Sequence, residues 1–363
     1  MSLLRLAESI IKDSGNVALE KAYKAAKVTS LDFDEPRTFI QFKKLRDAMT
    51  KAYTAQLNEA FQPVTDDMQA LALSEAEFTA GALVSANVGL KIVQPVDKMI
   101  NKYLASSLMS MTSQGVEQSF SWSEYIDSYF ESSGSKIKNA INNVWRQQNE
   151  GELPTVKAYT KAVEAVNAGV NKSQMKNIIR TGVTSFSTDG RMAFYQDNAD
   201  VIDKCYIGVT FDNRISKICI SMAARYGIGT DGFTLDKLPP EGLPPMHVNC
   251  RSHLISLAKG QTIDGTRQSI GGTKDGADAF KVREDRLRTK SKVNYQGSKD
   301  EVLIAKEIKA STPIAKFLRD QPAYYIDDVL GKTRGAAFRA GKLDLSALTT
   351  ESLKPLTLKE LSL

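Results

Sequence analysis

The apolar residues in the first half of this chain recur at every third or fourth position. From Phe39 onward this spacing joins Phe42, Leu45, Met49, Tyr53, Leu57 and Phe61, with Lys, Arg and Gln between them. Such a period places the apolar side chains on one face of an α-helix. Ser74 and Glu77 have the spacing of a capping box, which predicts another helix start, and Pro95 predicts a third helix. We therefore predict a helical N-terminal region over residues 1–134.

Helical spacing continues beyond this region and then changes near residue 204. Residues 137–145 and 156–166 have helical spacing, residues 171–201 favour two helical stretches, and the Ser-rich residues 110–125 indicate a turn or a mobile arm. CYIGVTF then alternates like a strand. Turn-rich segments follow, including GIGTDGF and SIGGTKDG, and helical spacing returns in residues 300–320 and 323–341. The predicted fold class is mostly α with a compact, loop-rich α+β domain from about residue 200.

Composition narrows the class of protein. No run of 18 uncharged apolar residues is present, so no membrane span is predicted. The first fifteen residues favour an amphipathic helix over a signal peptide, so we expect synthesis in a cytoplasm. Three cysteines are too few for a disulfide scaffold in 363 residues. The net charge of +6 gives a weak preference for an anionic partner.

Two short matches to nucleotide-binding motifs carry no weight. GIGTDG at 227–232 fits the glycine pattern of dinucleotide sites, but it follows a predicted helix end and opens no helix. GKT at 331–333 lacks the glycine that a phosphate-binding loop needs five residues earlier. We predict no nucleotide site and no cofactor.

The stretch PPMHVNCRSHLISL, residues 244–257, contains both histidines of the chain and one cysteine. His247, Cys250 and His253 could bind zinc with Cys219 as a fourth ligand, although the chain has no C-x-x-C pair. His247 could instead act as a general base oriented by Asn249 beside a metal, or Cys250 as a nucleophile. The remaining alternative is structural, with polar side chains satisfying backbone groups in a rigid loop. We favour the structural alternative.

A second pattern lies about 35 residues earlier. VTFDNRISKIC reads T-x-D-x-R-x-S-x-x-C and precedes P-P-x-H-x-N-C-R-S. Together these two motifs resemble those of the phage head morphogenesis family, the Mu F-like minor head proteins. The resemblance extends upstream to IIRTGVTSFSTDGRMAFYQDNADV and downstream to the C-terminal residues, and so covers about residues 135–363, the second predicted region. Its motif residues are Arg180, Thr181, Thr210, Asp212, Arg214, Ser216, Cys219, His247, Asn249, Cys250, Arg251 and Ser252.

This chain departs from some members of that family at two positions. Those members have C-x-x-C in the first motif and C-R-C in the second, whereas here Ser216 and Ser252 replace two cysteines. Two sulfurs and His247 could still hold a metal, but we predict none, because a closed tetrahedral site lacks its fourth ligand. We predict instead that the two motifs contact each other, with Asp212 paired to Arg214 or Arg251.

The resemblance implies a virion protein and no catalytic activity. Proteins of this family are minor components of the capsid interior, associated with the portal and linked to head assembly and to DNA packaging or ejection. The implied partners are the portal protein, capsid or scaffolding proteins, and packaged double-stranded DNA. Two alternatives remain open: a metal-dependent nuclease or hydrolase carried in the virion, and a toxin fusion, which the purely helical N-terminal half disfavours.

One basic run predicts contact with DNA. KVREDRLRTKSK, residues 281–292, has a local net charge of +4. An exposed basic run attracts phosphates without reading bases; the alternative is an ordinary solvated surface. We predict sequence-independent DNA binding through Lys281, Arg283, Arg286, Arg288, Lys290 and Lys292.

Overall fold

The structure is a computed structural model, and it describes residues 39–86, 90–113, 116–146, 156–273 and 302–363. The described part is mostly helical, with three small two-stranded sheets. The helices are α1 (Phe39–Ala86), α2 (Asp97–Leu104), α3 (Trp122–Arg146), α4 (Val156–Asp197), α5 (Lys217–Tyr226), α6 (Ile314–Arg319), α7 (Ala323–Leu330) and α8 (Lys332–Arg339). The strands are β1 (Met109–Ser113), β2 (Val116–Phe120), β3 (Ile202–Gly208), β4 (His253–Ala258), β5 (Thr266–Thr273) and β6 (Val302–Lys309).

The chain divides into two compact units, neither of which is continuous in sequence. The first takes in the residues up to Leu71 and Phe120–Val183, and the second takes in Ala72–Ser119 and Thr184–Leu363. Both α1 and α4 have residues in each unit. Within the described residues, no helix is both long enough and apolar enough to cross a bilayer.

The first unit is built on the apolar faces of three helices. Phe61 of α1 meets Phe130 of α3 edge to face, with ring centroids 5.7 Å apart. Ile137 of α3 and Ile178 of α4 are also buried. Since aromatic and branched side chains bury large areas, this packing accounts for the apolar residues at the end of the predicted spacing, Leu57 and Phe61. Pro63 lies inside α1 on an exposed position.

The predicted helix start at Ser74 is wrong, because α1 continues through it without a break. The buried positions of α1 continue past Ser74 at helical spacing, through Ala72, Ala76, Ala80 and Leu83. The packing of this continuous buried face stabilises an unbroken helix by more than the capping box at Ser74 favours a new helix start. For the same reason, residues 171–197 form one helix with the residues before them rather than two stretches.

The second unit holds the β-structure. β3 and β4 pair antiparallel, with Ile207 opposite Leu254 and Gly208 opposite His253. β5 and β6 form a second antiparallel pair. The Ser-rich segment, predicted as a turn or mobile arm, instead contains β1 and β2, which form a third pair. The helix predicted to start near residue 300 is also wrong in its first half, since residues 302–309 form β6.

The second unit is closed by residues near the C-terminal end of the sequence. Arg225, at the end of α5, donates to the carbonyls of Ser346 and Thr349 and pairs with the buried carboxylate of Glu241 at 2.6 Å. Ser221, one turn earlier, also donates to the Ser346 carbonyl. These bonds fix the C-terminal loops over α5, the helix that carries part of the candidate site.

Candidate functional site

The two sequence motifs meet in the second unit. The first motif, residues 210–219, follows β3 and enters α5; the second motif, residues 244–252, leads into β4. Because β3 and β4 are paired antiparallel, the chain after one strand lies beside the chain before the other. Pairing of the strands therefore brings together residues that are about 35 positions apart.

One ion pair joins the motifs. Arg251 donates through Nη2 to Asp212 Oδ1 at 2.8 Å and through Nη1 to Asp212 Oδ2 at 2.5 Å, a bidentate arrangement. The Asp212 side chain is buried, whereas that of Arg251 is 40% exposed. Hydrogen bonding to the carboxylate raises the pKa of Arg251. The predicted contact between the motifs is thus confirmed, and of the two predicted partners of Asp212 it is Arg251 that forms the ion pair.

Asp212 also organises its own loop. Its Oδ1 accepts the backbone N–H of Arg214 at 2.9 Å, and its own N–H donates to the carbonyl of Thr210. Phe211 lies against Arg267 of β5, whose guanidinium carbon is 3.7 Å from the ring centroid. The carboxylate is therefore a junction between the loop and the second motif, and Thr210 and Arg214 contribute backbone groups to it.

A second junction is formed by Cys219, His247 and Cys250, which we call the thiol–imidazole cluster. His247 Nε2 lies 3.1 Å from Cys219 Sγ, and the two sulfurs are 3.9 Å apart. Ser216 Oγ is 2.8 Å from the same ring nitrogen. Both cysteines are buried and neither forms a disulfide. The first motif contributes one sulfur and the second contributes the ring and the other sulfur.

Local backbone structure positions each member of the cluster. Ser216 is the N-cap of α5 and accepts the N–H of Cys219 at 3.0 Å, which places Cys219 in the first turn. Asn249 adopts a left-handed conformation with φ of 61°, which Asn tolerates better than most residues. This turn carries Cys250 back toward α5, and Thr184 of α4 donates to the Cys250 carbonyl at 2.6 Å.

The two thiols differ in acidity. A hydrogen bond from Cys250, with a further one from Ser216, lowers the pKa of Cys219 to about 7. The pKa of Cys250 is raised well above its usual value, because its proton is held by Cys219 and because it is buried. The N-terminal turn of a helix also favours negative charge. Cys219 is therefore the more acidic thiol of the pair.

The second histidine stands apart from this cluster. His253 begins β4 and lies against Gly208, where an added Cβ would come within 2.4 Å of the ring. Burial, together with nearby Arg191 and Arg267, lowers the pKa of His253 to about 4, so its ring is neutral at pH 7. It is not one of the ligand-type residues that converge within the described part of the chain.

The remaining predicted site residues fall into three groups. Ser252 is buried beside Cys219, within the junction. Arg180 and Thr181 belong to the first unit, where Thr181 is buried and its hydroxyl bonds to Tyr125. The DNA-binding prediction lies outside the described residues: Lys281, Arg283, Arg286, Arg288, Lys290 and Lys292.

Sequence reasoning missed two groups that support the junction. Thr184 lies one helical turn after Thr181 and has no motif of its own. The carbonyl of Val248 accepts from His247 Nδ1 at 2.8 Å, a role that we had considered for Asn249. Hydrogen bonds to backbone carbonyls do not depend on the type of residue that carries the carbonyl, so no sequence pattern predicts these two contacts.

No protein-family model, curated protein or solved structure matches this chain.

Proposed function

We propose that this chain is a minor head protein of a phage, located in the capsid interior and associated with the portal. In this role it acts in head morphogenesis and in DNA packaging or ejection. The observation that supports the proposal best is the meeting of the two motifs. Residues that the family resemblance singles out in separate segments pair with one another, through Asp212 with Arg251 and Ser216 with His247.

This contact adds weight to the resemblance for a physical reason. A chance match of letters in two segments places no requirement on where those segments lie in the fold. Here the Asp212 carboxylate and the Ser216 hydroxyl of the first motif bond to Arg251 and His247 of the second, as expected when the two motifs form a single structural unit. The sequence resemblance and the contacts are independent observations, and both favour the same assignment.

The character of the junction favours a structural over a catalytic role. Cys219 is 5% exposed and Cys250 is fully buried, so a macromolecular substrate would not reach either sulfur. The Asp212 carboxylate is already engaged by three donors from Arg251 and Arg214. A nuclease or hydrolase needs reacting groups that face a cleft. We therefore assign no enzymatic activity.

The proposed partners follow from this location. They are the portal protein, capsid or scaffolding proteins, and packaged double-stranded DNA, which the basic residues 281–292 would contact without base recognition. None of these contacts depends on the DNA sequence, as expected for a protein that is present in every particle.

Particle composition tests the proposal. The chain is given an affinity tag, particles are purified from the producing cells by density gradient, and their proteins are identified by mass spectrometry. We expect the chain in DNA-filled heads at a few copies per particle, and co-purification with the portal protein from lysates. A chain that is absent from purified particles and that does not retain the portal protein would rule the assignment out.

A matched pair of variants makes the test specific to the junction. Asp212→Ala removes the ion pair between the motifs, whereas Lys316→Ala removes an exposed pair with Asp320 in the same unit. We expect the first variant to reduce incorporation into heads and the second to behave like the wild type.

A further inference from the structure

The thiol–imidazole cluster has the composition of a metal site. Two sulfurs and one imidazole nitrogen lie within 4.8 Å of one another, and no other group of three or more such ligands converges in the described part of the chain. Thiolate and imidazole are the ligands of zinc and of softer metals, whereas calcium and magnesium require oxygen ligands. The donor set therefore selects the class of metal.

The distances fit a tetrahedral ion. With Zn–S bonds of about 2.3 Å and Zn–N bonds of about 2.0 Å, tetrahedral angles separate two sulfur ligands by about 3.8 Å and a sulfur from a nitrogen by about 3.5 Å. The observed separations are 3.9 Å between the two sulfurs and 3.1 Å between Cys219 Sγ and His247 Nε2. For these two pairs an ion requires shifts of about half an ångström or less. The third pair, the Cys250 sulfur and the His247 ring nitrogen, lies within 4.8 Å and closes by up to about 1 Å.

The groups around His247 hold its ring in the tautomer that binds a metal through Nε2. Its Nδ1 lies 2.8 Å from the Val248 carbonyl, which can only accept, so the proton belongs on Nδ1 and the lone pair on Nε2. Metal-binding histidines nearly always have this arrangement, with the second nitrogen donating to a carbonyl or carboxylate. The lone pair of Nε2 faces Cys219 and Ser216.

A buried hydroxyl provides an independent sign of a missing ligand. Ser252 is 3% exposed, and its Oγ has no hydrogen bond of good geometry within the described structure; its interaction with the Cys219 thiol helps to lower the pKa of that thiol. Buried polar atoms nearly always have a partner. An ion with a bound water in this space would satisfy the hydroxyl.

We propose that Cys219, His247 and Cys250 bind one Zn²⁺ ion through two thiolates and one imidazole nitrogen, with an oxygen ligand beside Ser252 as the fourth. The ion joins the first motif to the second as a structural centre, since both sulfurs are buried. Two thiolates balance the charge of the ion. The proposal does not depend on the assignment as a head protein.

The sequence alone predicts no metal, because the chain has no C-x-x-C pair and a closed tetrahedral site lacks its fourth protein ligand. An oxygen ligand beside Ser252 can take that fourth position. Here the fold supplies one sulfur from the start of α5 and the other from a loop 31 residues later. Local spacing does not record such convergence.

Metal content and cobalt spectra test the site. The full chain is produced with zinc in the medium and without chelators, and zinc is measured by mass spectrometry of the elements. We expect one zinc per chain, and on replacement by Co²⁺ we expect the intense thiolate charge-transfer and visible bands of a tetrahedral site. Cys250→Ser and His247→Gln should each lose stoichiometric zinc and weaken or shift these bands.

Cys205 provides the matched control. It is a buried cysteine in β3 that is not part of the cluster. Cys205→Ala should therefore keep one zinc and an unchanged cobalt spectrum. Ser252→Cys tests the fourth position, and we expect it to bind zinc more tightly than the wild type and to add a third thiolate to the cobalt spectrum.

Several results would overturn the proposal. Circular dichroism first establishes that each variant is folded. A folded wild type that takes up neither zinc nor cobalt refutes the site, as does equal loss of metal in Cys205→Ala and Cys250→Ser. Exclusive binding of copper would refute the choice of zinc. Unchanged zinc affinity in Ser252→Cys would place the fourth ligand elsewhere and refute that part of the proposal.

Discussion

Replacing Asp212 by Ala removes the charged link between the two motifs. Three bonds are lost at once: both bonds from Arg251 and the bond from the Arg214 backbone N–H. The carboxylate side chain is 7% exposed, so water does not compete for these donors in the folded protein. The substitution therefore acts on the folded state of the second unit.

The size of the effect follows from the exposure of the partner. Breaking a fully buried ion pair by removing one member costs about 3–5 kcal/mol, because the other charge is left buried. The Arg251 side chain is 40% exposed and can turn to water, which lowers this penalty. The lost backbone bond adds about 1 kcal/mol. We expect a decrease of about 2–4 kcal/mol in the free energy of unfolding of the second unit.

Urea unfolding followed by circular dichroism measures this change as a shift of the midpoint at constant slope. Lys316→Ala is the control; its pair with Asp320 is exposed on both sides, and such pairs contribute less than about 1 kcal/mol. Asp212→Asn keeps an acceptor for the Arg214 N–H and should have an intermediate effect. If Asp212→Ala unfolds at the same urea concentration as the control, the ion pair does not stabilise the junction and the reasoning is wrong.

Three further predictions concern the second unit, its pH response and DNA. Arg225→Lys should destabilise the second unit by roughly 2–4 kcal/mol in the same urea assay, because an ammonium cannot reach both the tail carbonyls and Glu241 as the guanidinium does; an unchanged midpoint would contradict this. His253 has a folded pKa of about 4 against an ordinary 6.5, so the unfolded chain takes up its proton first and stability falls as pH drops from 6.5 toward 4. Between pH 7 and pH 5 this loss is about 2 kcal/mol. His253→Gln should reduce it in unfolding measured at these two pH values, and an equal loss in the variant would refute the assignment. Binding of duplex DNA should weaken steeply with added salt, which a filter-binding titration measures. It should disappear when four basic residues are changed to Glu, namely Arg283, Arg286, Arg288 and Lys290. Unaltered binding by that variant would show that these residues do not contact DNA.

Most of the helical architecture could be predicted from apolar spacing, but the ends of helices could not. The period from Phe42 to Phe61 indicates α1, and the alternation in CYIGVTF indicates β3. The segment VLIAKEIK reads equally as helix or strand, since its apolar residues suit either period over so short a length. Its pairing with β5 decides the outcome, and that partner lies far away in sequence.

The members of the candidate site and the contact between its two motifs were predictable, but the detailed geometry was not. Asp212, Arg251, Cys219, His247 and Cys250 could all be named from the two motifs. Which of them would touch depended on the antiparallel register of β3 and β4, which fixes Gly208 opposite His253. Register is a tertiary property set by packing on both faces of the strands, and short patterns do not contain it.

The bonds from Arg225 to the C-terminal loops bear on how the chain folds during synthesis. Arg225 leaves the ribosome 124 residues before its acceptor at Thr349. At about 5–20 residues per second, the nascent chain waits roughly 6–25 s before that bond can form. For this interval α5 and the first motif are made but not yet closed, so a chaperone has time to bind them. Early termination before residue 346 would leave every chain in that open state, and such products should be targets for proteolysis.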